Sequence, residues 1–466
     1  MKWVSFIFLF ALASMNAAEI QVGVARYDIT PEMGVPLDGA ISQNGVVVEI
    51  HDPLHVRAVV FYDGARKVAL ATVDNTMVSD SIFDAAKILI ENQTGIPGHA
   101  TILAATHTHS TPRGFVGLVD NLLHEAYLAS LPRKIANAVI TANDNLQNAA
   151  VGWDSLEAPE HVHNRRWFVE KSAQIRNPFG KAGEVVRMNP GRKGLLKPAG
   201  PVDPELFLLS VRSDSGLPLS VIGNYGLHYV GGTKRGHVSA DYFAVFSEAI
   251  RSELGAGETF VGLMSNGTSG DVNAVDFSRP PEKLLPFQNM KRVGTDLAQR
   301  AAPVVKEILH QRSLTVGARE VVLKLRVRKP DEEQLAWAKE TAAPTGTPLR
   351  LTRPQVYAKE ILALADYPET VDVRIQAIQI GELGIIGIPC EVFAETGLAI
   401  KAAKVFPATM IMELANGYHG YLPTAEQHRW GGYETWPARS ACLEVGAEAK
   451  IREASIQLLR ELAGKN

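Results

Sequence analysis

The chain has 466 residues, 46% of them hydrophobic, with 47 basic against 50 acidic side chains and a formal charge of −3. That length supports one large hydrophobic core or two ordinary ones. The balanced charge, with no long basic run, argues against a nucleic-acid partner, and no amphipathic helix is followed by the Lys/Arg cluster of a membrane-surface segment.

The first segment, "MKWVSFIFLFALASMNAAE", sets Lys2 before an apolar run from Trp3 to Leu12 and then small residues up to Ala18. This is the three-part pattern of a secretory signal, too short to span a bilayer comfortably. Cleavage is expected near Ala18, leaving residues 19–466 as a secreted or periplasmic chain without a transmembrane anchor. "IQVGVARYDITP" alternates apolar and polar residues and reads as an opening strand. "HVRAVVFYDGARKVALATVD" reads as two strands around an Asp63-Gly64 turn. "DSIFDAAKILIENQTG" has helical spacing and a terminal Gly95; "TILAATHTHS" is a further strand, and "AYLASLPRKIANAVITANDNL" a further helix.

Residues 154–200 are rich in Gly, Pro and basic side chains and read as a long surface loop or hairpin. "LFLLSVRSDSGLPLSVIGNYGLHYVGG" then predicts two strands around Gly216, "DYFAVFSEAIRSELG" a helix, "TFVGLMSN" a buried strand and "NMKRVGTDLAQRAAPVVKEILHQ" a long helix. Residues 331–366 read as helical, interrupted by "APTGTP"; "VRIQAIQIGELGIIGIP" is a strand hairpin and "AETGLAIKAAKVF" a helix. No repeat or linker divides the chain, so the expectation is a single α/β domain with mixed sheets flanked by helices. Cys390 and Cys442 are the two cysteines; in an exported chain they are able to pair, and the sequence leaves that open.

Polar residues gather after apolar runs, as when loops at strand ends build a site. If Thr101 to Thr108 is a strand, His107 and His109 project to the same face, where two imidazoles can hold a metal, or one can hold it while the other moves protons. "GNYGLHYVGG" places His228 after a strand; "SNGTSGDVNAVDF" is a tight polar turn; "GIPCEVFAETG" sets Glu391 after a strand. "NGYHGYLPTAEQHRWGGYETW" offers Tyr418, His419, Tyr421, His428 and Tyr433, and "HVHNRRW" repeats His-x-His at His161 and His163 before Arg165. Each also has a plainer explanation: solvated histidines, a helix cap at Glu391, an Asx-turn at Gly-Asp-Val-Asn, buried aromatics and a solvated basic loop.

Taken together, "THTHS", "NYGLH", "GDVN", "PCE" and "YLPTAEQHRWGGYE" resemble, in order and approximate separation, the neutral/alkaline non-lysosomal ceramidases. The resemblance runs from Val22 to Ala447 and implies that family's catalytic domain, a zinc amidohydrolase that cleaves the N-acyl bond of ceramide. By position it implies zinc ligands at His107, His228, Glu391 and Tyr421, with His109 handling protons, Arg165 near the scissile amide and Tyr433 polarising the acyl carbonyl. The chemistry implied is attack by a zinc-bound hydroxide. The chain departs from the family at Asn273, where the family has Ser; an amide cannot attack, so Asn273 is expected to position substrate by hydrogen bonding. It also stops at Asn466, about where the family's C-terminal β-sandwich begins. The expected partner is a small-molecule or lipid N-acyl substrate. The alternatives are an ester or small N-acyl hydrolase of the same fold, or a catalytically silent zinc-containing binding protein. Apparent hairpins between Leu206 and Ile388 argue against a (β/α)₈ barrel.

Overall fold

A computed structural model describes residues 19–37, 45–115, 121–342 and 351–465. The expected signal segment and the "APTGTP" interruption lie outside these residues. Two sheets carry the fold. The first has eight strands: β1 (Gln21–Asp28), β2 (His55–Tyr62), β3 (Lys67–Val73), β4 (Thr101–Ala105), β5 (Gln147–Glu157), β6 (Glu205–Ser213), β7 (Pro218–Tyr225) and β8 (Val261–Asn266), in the order β8-β7-β6-β5-β1-β2-β3-β4. The second has four: β9 (Val316–Arg326), β10 (Thr370–Ile380), β11 (Leu383–Ile388) and β12 (Ala408–Glu413), in chain order.

Most neighbours in these two sheets are antiparallel, as where β1 sets Gln21 opposite Tyr62 of β2. The exceptions are three parallel pairs: β3 with β4, β7 with β8, and β11 with β12. A parallel pair needs a crossover, and each has a helix in it: Asp80–Thr94, Asp241–Glu253 and Ala394–Ala402 respectively. The strands of these pairs are buried on both faces, which is why "VALATV", "TILAA" and "LGIIGI" read as continuous apolar runs. The two sheets share one core, in which Ile102 and Ala104 of the first pack with Ile385, Met410 and Met412 of the second. They are also tied by backbone bonds from Ala105 N–H to Leu414 and from Asn416 N–H to Leu103. The pattern is the expected single α/β unit with mixed sheets, and not a barrel.

Three expectations need correction. The strand expected over Thr101–Thr108 ends at Ala105, because His107 turns into the left-handed region with φ of 66°. Residues 154–200 hold more order than a loop: β5 runs to Glu157, and Arg166–Val169 pairs with both Val186–Met188 and Leu195–Pro198. Two strands of the second sheet carry no sequence expectation: β9, an edge strand whose charged residues Arg319, Glu320, Lys324 and Arg326 hide its alternation, and β12, Ala408–Glu413.

Candidate functional site

Every parallel pair sends its chain onward from the same end, and the candidate residues emerge there. His107 follows β4, His228 follows β7 and Glu391 follows β11. Each meets a positioning group from its own pair. Past β3, the Thr76 carbonyl accepts from His107 Nδ1 at 2.6 Å. Past β8, the Ser269 carbonyl accepts from His228 Nδ1 at 3.1 Å. Past β12, the Tyr418 hydroxyl donates to Glu391 Oε1 at 2.9 Å. The turn at His107 costs about 1–3 kcal/mol of backbone strain, the kind that persists where the surrounding structure holds a functional side chain in place.

These contacts decide the tautomers. A carbonyl only accepts, so both Nδ1 atoms carry protons and both Nε2 atoms present lone pairs. The two Nε2 atoms lie 3.0 Å apart, with Glu391 Oε2 at 3.3 Å from His107 and 3.6 Å from His228. Glu391 Oε2 is buried and accepts no hydrogen bond. Three acceptors face one another, with His109 Nε2 the neighbouring group able to donate to His107, and a cation among them would relieve their repulsion. Burial, with the charge of Arg165, holds the His228 imidazole well below its usual pKa and keeps it neutral, as ligation requires. Burial alone would raise Glu391, but His107, Arg165 and the Tyr421 hydroxyl outweigh it and hold the carboxyl below the usual range. The ligand-capable nitrogens of His107, His109 and His228 all lie within 4.8 Å of one another. This donor set of imidazoles and a carboxylate fits Zn²⁺.

Behind the cluster sits Glu413, at the end of β12 and fully buried. It accepts from the backbone N–H of Ser269 at 3.1 Å, from that of Val392 at 2.8 Å, and from the Ser269 hydroxyl. It thereby ties the loop that positions His228 to the residue after Glu391. Burial pushes its carboxyl up to about 8, against those hydrogen bonds and with Glu391 adding repulsion.

A cavity of about 700 Å³ opens onto the cluster, lined there by His107, His109, Glu391, Tyr418, Tyr421 and Tyr433. His109 Nε2 is 3.3 Å from His107 Nε2, and its ring stacks on Tyr229 at 3.6 Å between centroids. Tyr421 pairs in register with Glu391, and its ring meets Tyr433 edge-on at 5.7 Å. Burial, with the charge of Glu391, pushes the Tyr421 hydroxyl well above its usual pKa, so it stays a donor. Arg165 lies outside the cavity lining. It donates to Glu434 at 3.0 Å and to the Gly270 carbonyl at 2.8 Å, and its guanidinium sits 5.4 Å over the Tyr421 ring. Arg166 grips the other oxygen of Glu434 at 2.6 Å. Two buried guanidiniums on one carboxylate fix the turn that carries Tyr433, so the plain reading of "NRRW" as a solvated loop fails for both arginines.

Other sequence candidates stay apart. Asn273 is absent from the cavity lining; its amide donates to Asn189 and its oxygen accepts from Val275 N–H. His161 pairs with Asp296 at 2.7 Å and His163 reaches the Glu160 carbonyl. Asp271 accepts from the Ala394 N–H and the Asn164 amide, ties between distant segments; the Asx-turn of the plainer reading falls on Asn273, which accepts from Val275 N–H two residues on. Cys390 and Cys442 are buried free thiols. The sequence reading missed Tyr229, Glu413 and Asp80. Tyr229 was signalled only by adjacency to His228, and Glu413 by a lone carboxylate closing the apolar run "ATMIME". Among the described residues no helix is long and apolar enough to cross a membrane.

No protein-family model and no curated protein sequence matches this chain. Solved structures do. One is the neutral ceramidase from Pseudomonas aeruginosa, with a TM-score of 0.69 and 19% identity over 97% of this chain and 75% of that one. Another is a ceramidase complexed with C2, with a TM-score of 0.71 and 19% identity over 96% of this chain and 76% of that one. The fold is that of the ceramidases. The ceramidase fold therefore accounts for the three parallel pairs whose shared end carries His107, His228 and Glu391, while the chemistry has to be argued from those residues.

Proposed function

We propose that this chain is an exported, zinc-dependent amidohydrolase that cleaves an N-acyl bond of the ceramide type. The observation that carries the reading is the convergence of His107 Nε2, His228 Nε2 and Glu391 Oε2, three acceptors, at the wall of an open cavity. His107, His228 and Glu391, with Tyr421 beside them, would hold Zn²⁺. Bound there, the ion would supply Lewis-acid activation of water and of an acyl carbonyl.

The chain's own residues supply the rest. His109, on the cavity side of the cluster and fixed by the Tyr229 ring, carries a proton at Nε2 to the departing amine. The Tyr433 hydroxyl donates to the acyl oxygen as negative charge grows on it. Arg165 acts from behind Tyr421, its charge held in place by Glu434 and the Gly270 carbonyl. The proposal gives Asn273 no step. Similarity in fold to a neutral ceramidase and to a ceramidase complexed with C2 supports the reaction class.

The test is metal analysis joined to a screen of N-acyl and ester substrates. Purified protein should carry one zinc per chain and release amine from N-acyl compounds. His109→Ala should keep zinc, slow turnover by roughly 100- to 10,000-fold and lose one limb of the pH profile. Full zinc occupancy in both His107→Ala and His228→Ala would sink the ligand assignment, and zinc without turnover of any acyl substrate would leave a binding protein. Export is checked separately: secreted protein should begin near Glu19, and a mature chain that retains Met1 would refute it.

A further inference from the structure

The cavity wall beyond the ligand cluster has its own chemistry. It carries Asp80, Glu360, Arg113, Arg439 and His419. They come from separate segments: Asp80 opens the helix Asp80–Thr94, Glu360 sits on the helix Arg353–Asp366, and Arg439 opens the turn Arg439–Ala441. Two carboxylates stand against two guanidiniums, so their charges cancel. The groups are also held before any ligand arrives. Arg439 forks onto Glu360 at 2.9 and 2.6 Å, and Glu360 takes the Arg439 backbone N–H as well. Asp80 accepts the Tyr418 N–H at 3.1 Å and faces His419 Nε2 at 3.3 Å. The Arg113 guanidinium lies 4.9 Å over the Phe115 ring. Met77, Phe115, Val356, Tyr357, Tyr367 and Val371 give the same cavity more apolar than polar surface.

This composition selects among the compounds an N-acyl hydrolase can take. A long saturated chain against the wall would strip water from four charged groups and return no hydrogen bond. A ligand with net charge would meet partners that already neutralise one another. Hydroxyl groups both donate and accept, so they can replace water on carboxylate and guanidinium alike, while a ring face rests on the apolar residues. The volume, about 700 Å³, suits a compact molecule.

We infer that this wall is a subsite for a neutral, hydroxyl-rich substrate group, as on an N-acyl amino sugar; the inference rests on the N-acyl hydrolase reading. The experiment compares three acetamides with the zinc-loaded enzyme: N-acetylglucosamine, N-acetylglycine and N-dodecylacetamide. The sugar should have the highest kcat/KM by about tenfold or more. Arg113→Met and Glu360→Gln should each remove roughly that advantage through KM, with kcat for the sugar little changed. Preference for the dodecyl amide or the acid overturns the inference, as does an order among the three that both variants leave intact. If none is hydrolysed, the hydrolase reading fails for these substrates and calorimetry with N-acetylglucosamine decides the subsite. Binding by wild type that weakens about tenfold in Arg113→Met supports it; no binding overturns it.

Discussion

His-x-His occurs twice in this chain, at His107–His109 and at His161–His163, and the two copies do different things. In the first, a left-handed turn at His107 brings its Nε2 to 3.3 Å from that of His109, and a backbone carbonyl fixes the tautomer. In the second, His161 turns to Asp296 across the surface and His163 to the Glu160 carbonyl, so the rings take separate partners. The first copy leaves a parallel pair at the end where two other pairs also open. The second begins within a short 3-10 turn, Pro159–His161, and its His163 pairs in register with Asn273. Spacing alone does not make a metal site; the lone pairs need third and fourth partners and a wall that excludes competing donors.

The largest expected effect comes from breaking the first copy. His107→Ala should lower zinc affinity by well over 100-fold, since even changes one shell further out cost about 10- to 100-fold. Equilibrium dialysis against a zinc chelator measures it, and an affinity within a few-fold of wild type would place the metal elsewhere.

Glu413 sharpens the contrast, because the second copy has no counterpart to it. Glu413→Ala should lower zinc affinity by about 10- to 100-fold by releasing Ser269 and Val392, while Glu413→Gln, which keeps an acceptor, should recover part of the loss. Equal affinity in wild type and Glu413→Ala would reduce the residue to a packing role.

Acid should separate the two regions as well. Burial lowers the pKa of His228, further aided by Arg165, His107 and His109, and burial also lowers that of the half-buried His163. An imidazole lowered by folding binds more protons unfolded, so its stability contribution is complete above the unfolded pKa near 6.5 and is lost as pH falls through the folded value. In metal-stripped protein the melting temperature should therefore fall below pH 6.5. His228→Gln should remove more of that fall than His163→Gln, and equal relief would show that enclosure does not distinguish the copies.

The smallest effect belongs to the second copy. His161→Ala should leave zinc content unchanged and shift stability by about 1 kcal/mol, the range of a single hydrogen bond. Loss of zinc in this variant would erase the comparison.

Two of the three crossover units were legible because each is an apolar run, an amphipathic helix and another apolar run, all local patterns; the third was read only as far as its helix, and its closing strand Ala408–Glu413 was not. Ligand candidates were legible for a related reason: His228 and Glu391 each close such a run, where a chain must turn and expose side chains. Arg165 was legible by resemblance, but its job was not. Its partners Glu434 and Gly270 are 269 and 105 residues away, and nothing near Arg165 marks it as half of a buried network. Asn273 stood out as a departure from a pattern, yet in the fold its hydrogen bonds turn to Asn189 and Val275.

The sequence by itself determined most of the elements and the donor types that follow their apolar runs, because these follow from side-chain spacing along a few turns of chain. Only the tertiary structure decided which donors meet. That choice depended on the backbone turn at His107, on carbonyls of Thr76 and Ser269 that assign the tautomers, and on Glu413 joining two loops 123 residues apart between Ser269 and Val392. Directional contacts between residues far apart in the chain leave no periodic trace in it. They are fixed when the sheets share a core and bring the ends of the three parallel pairs together.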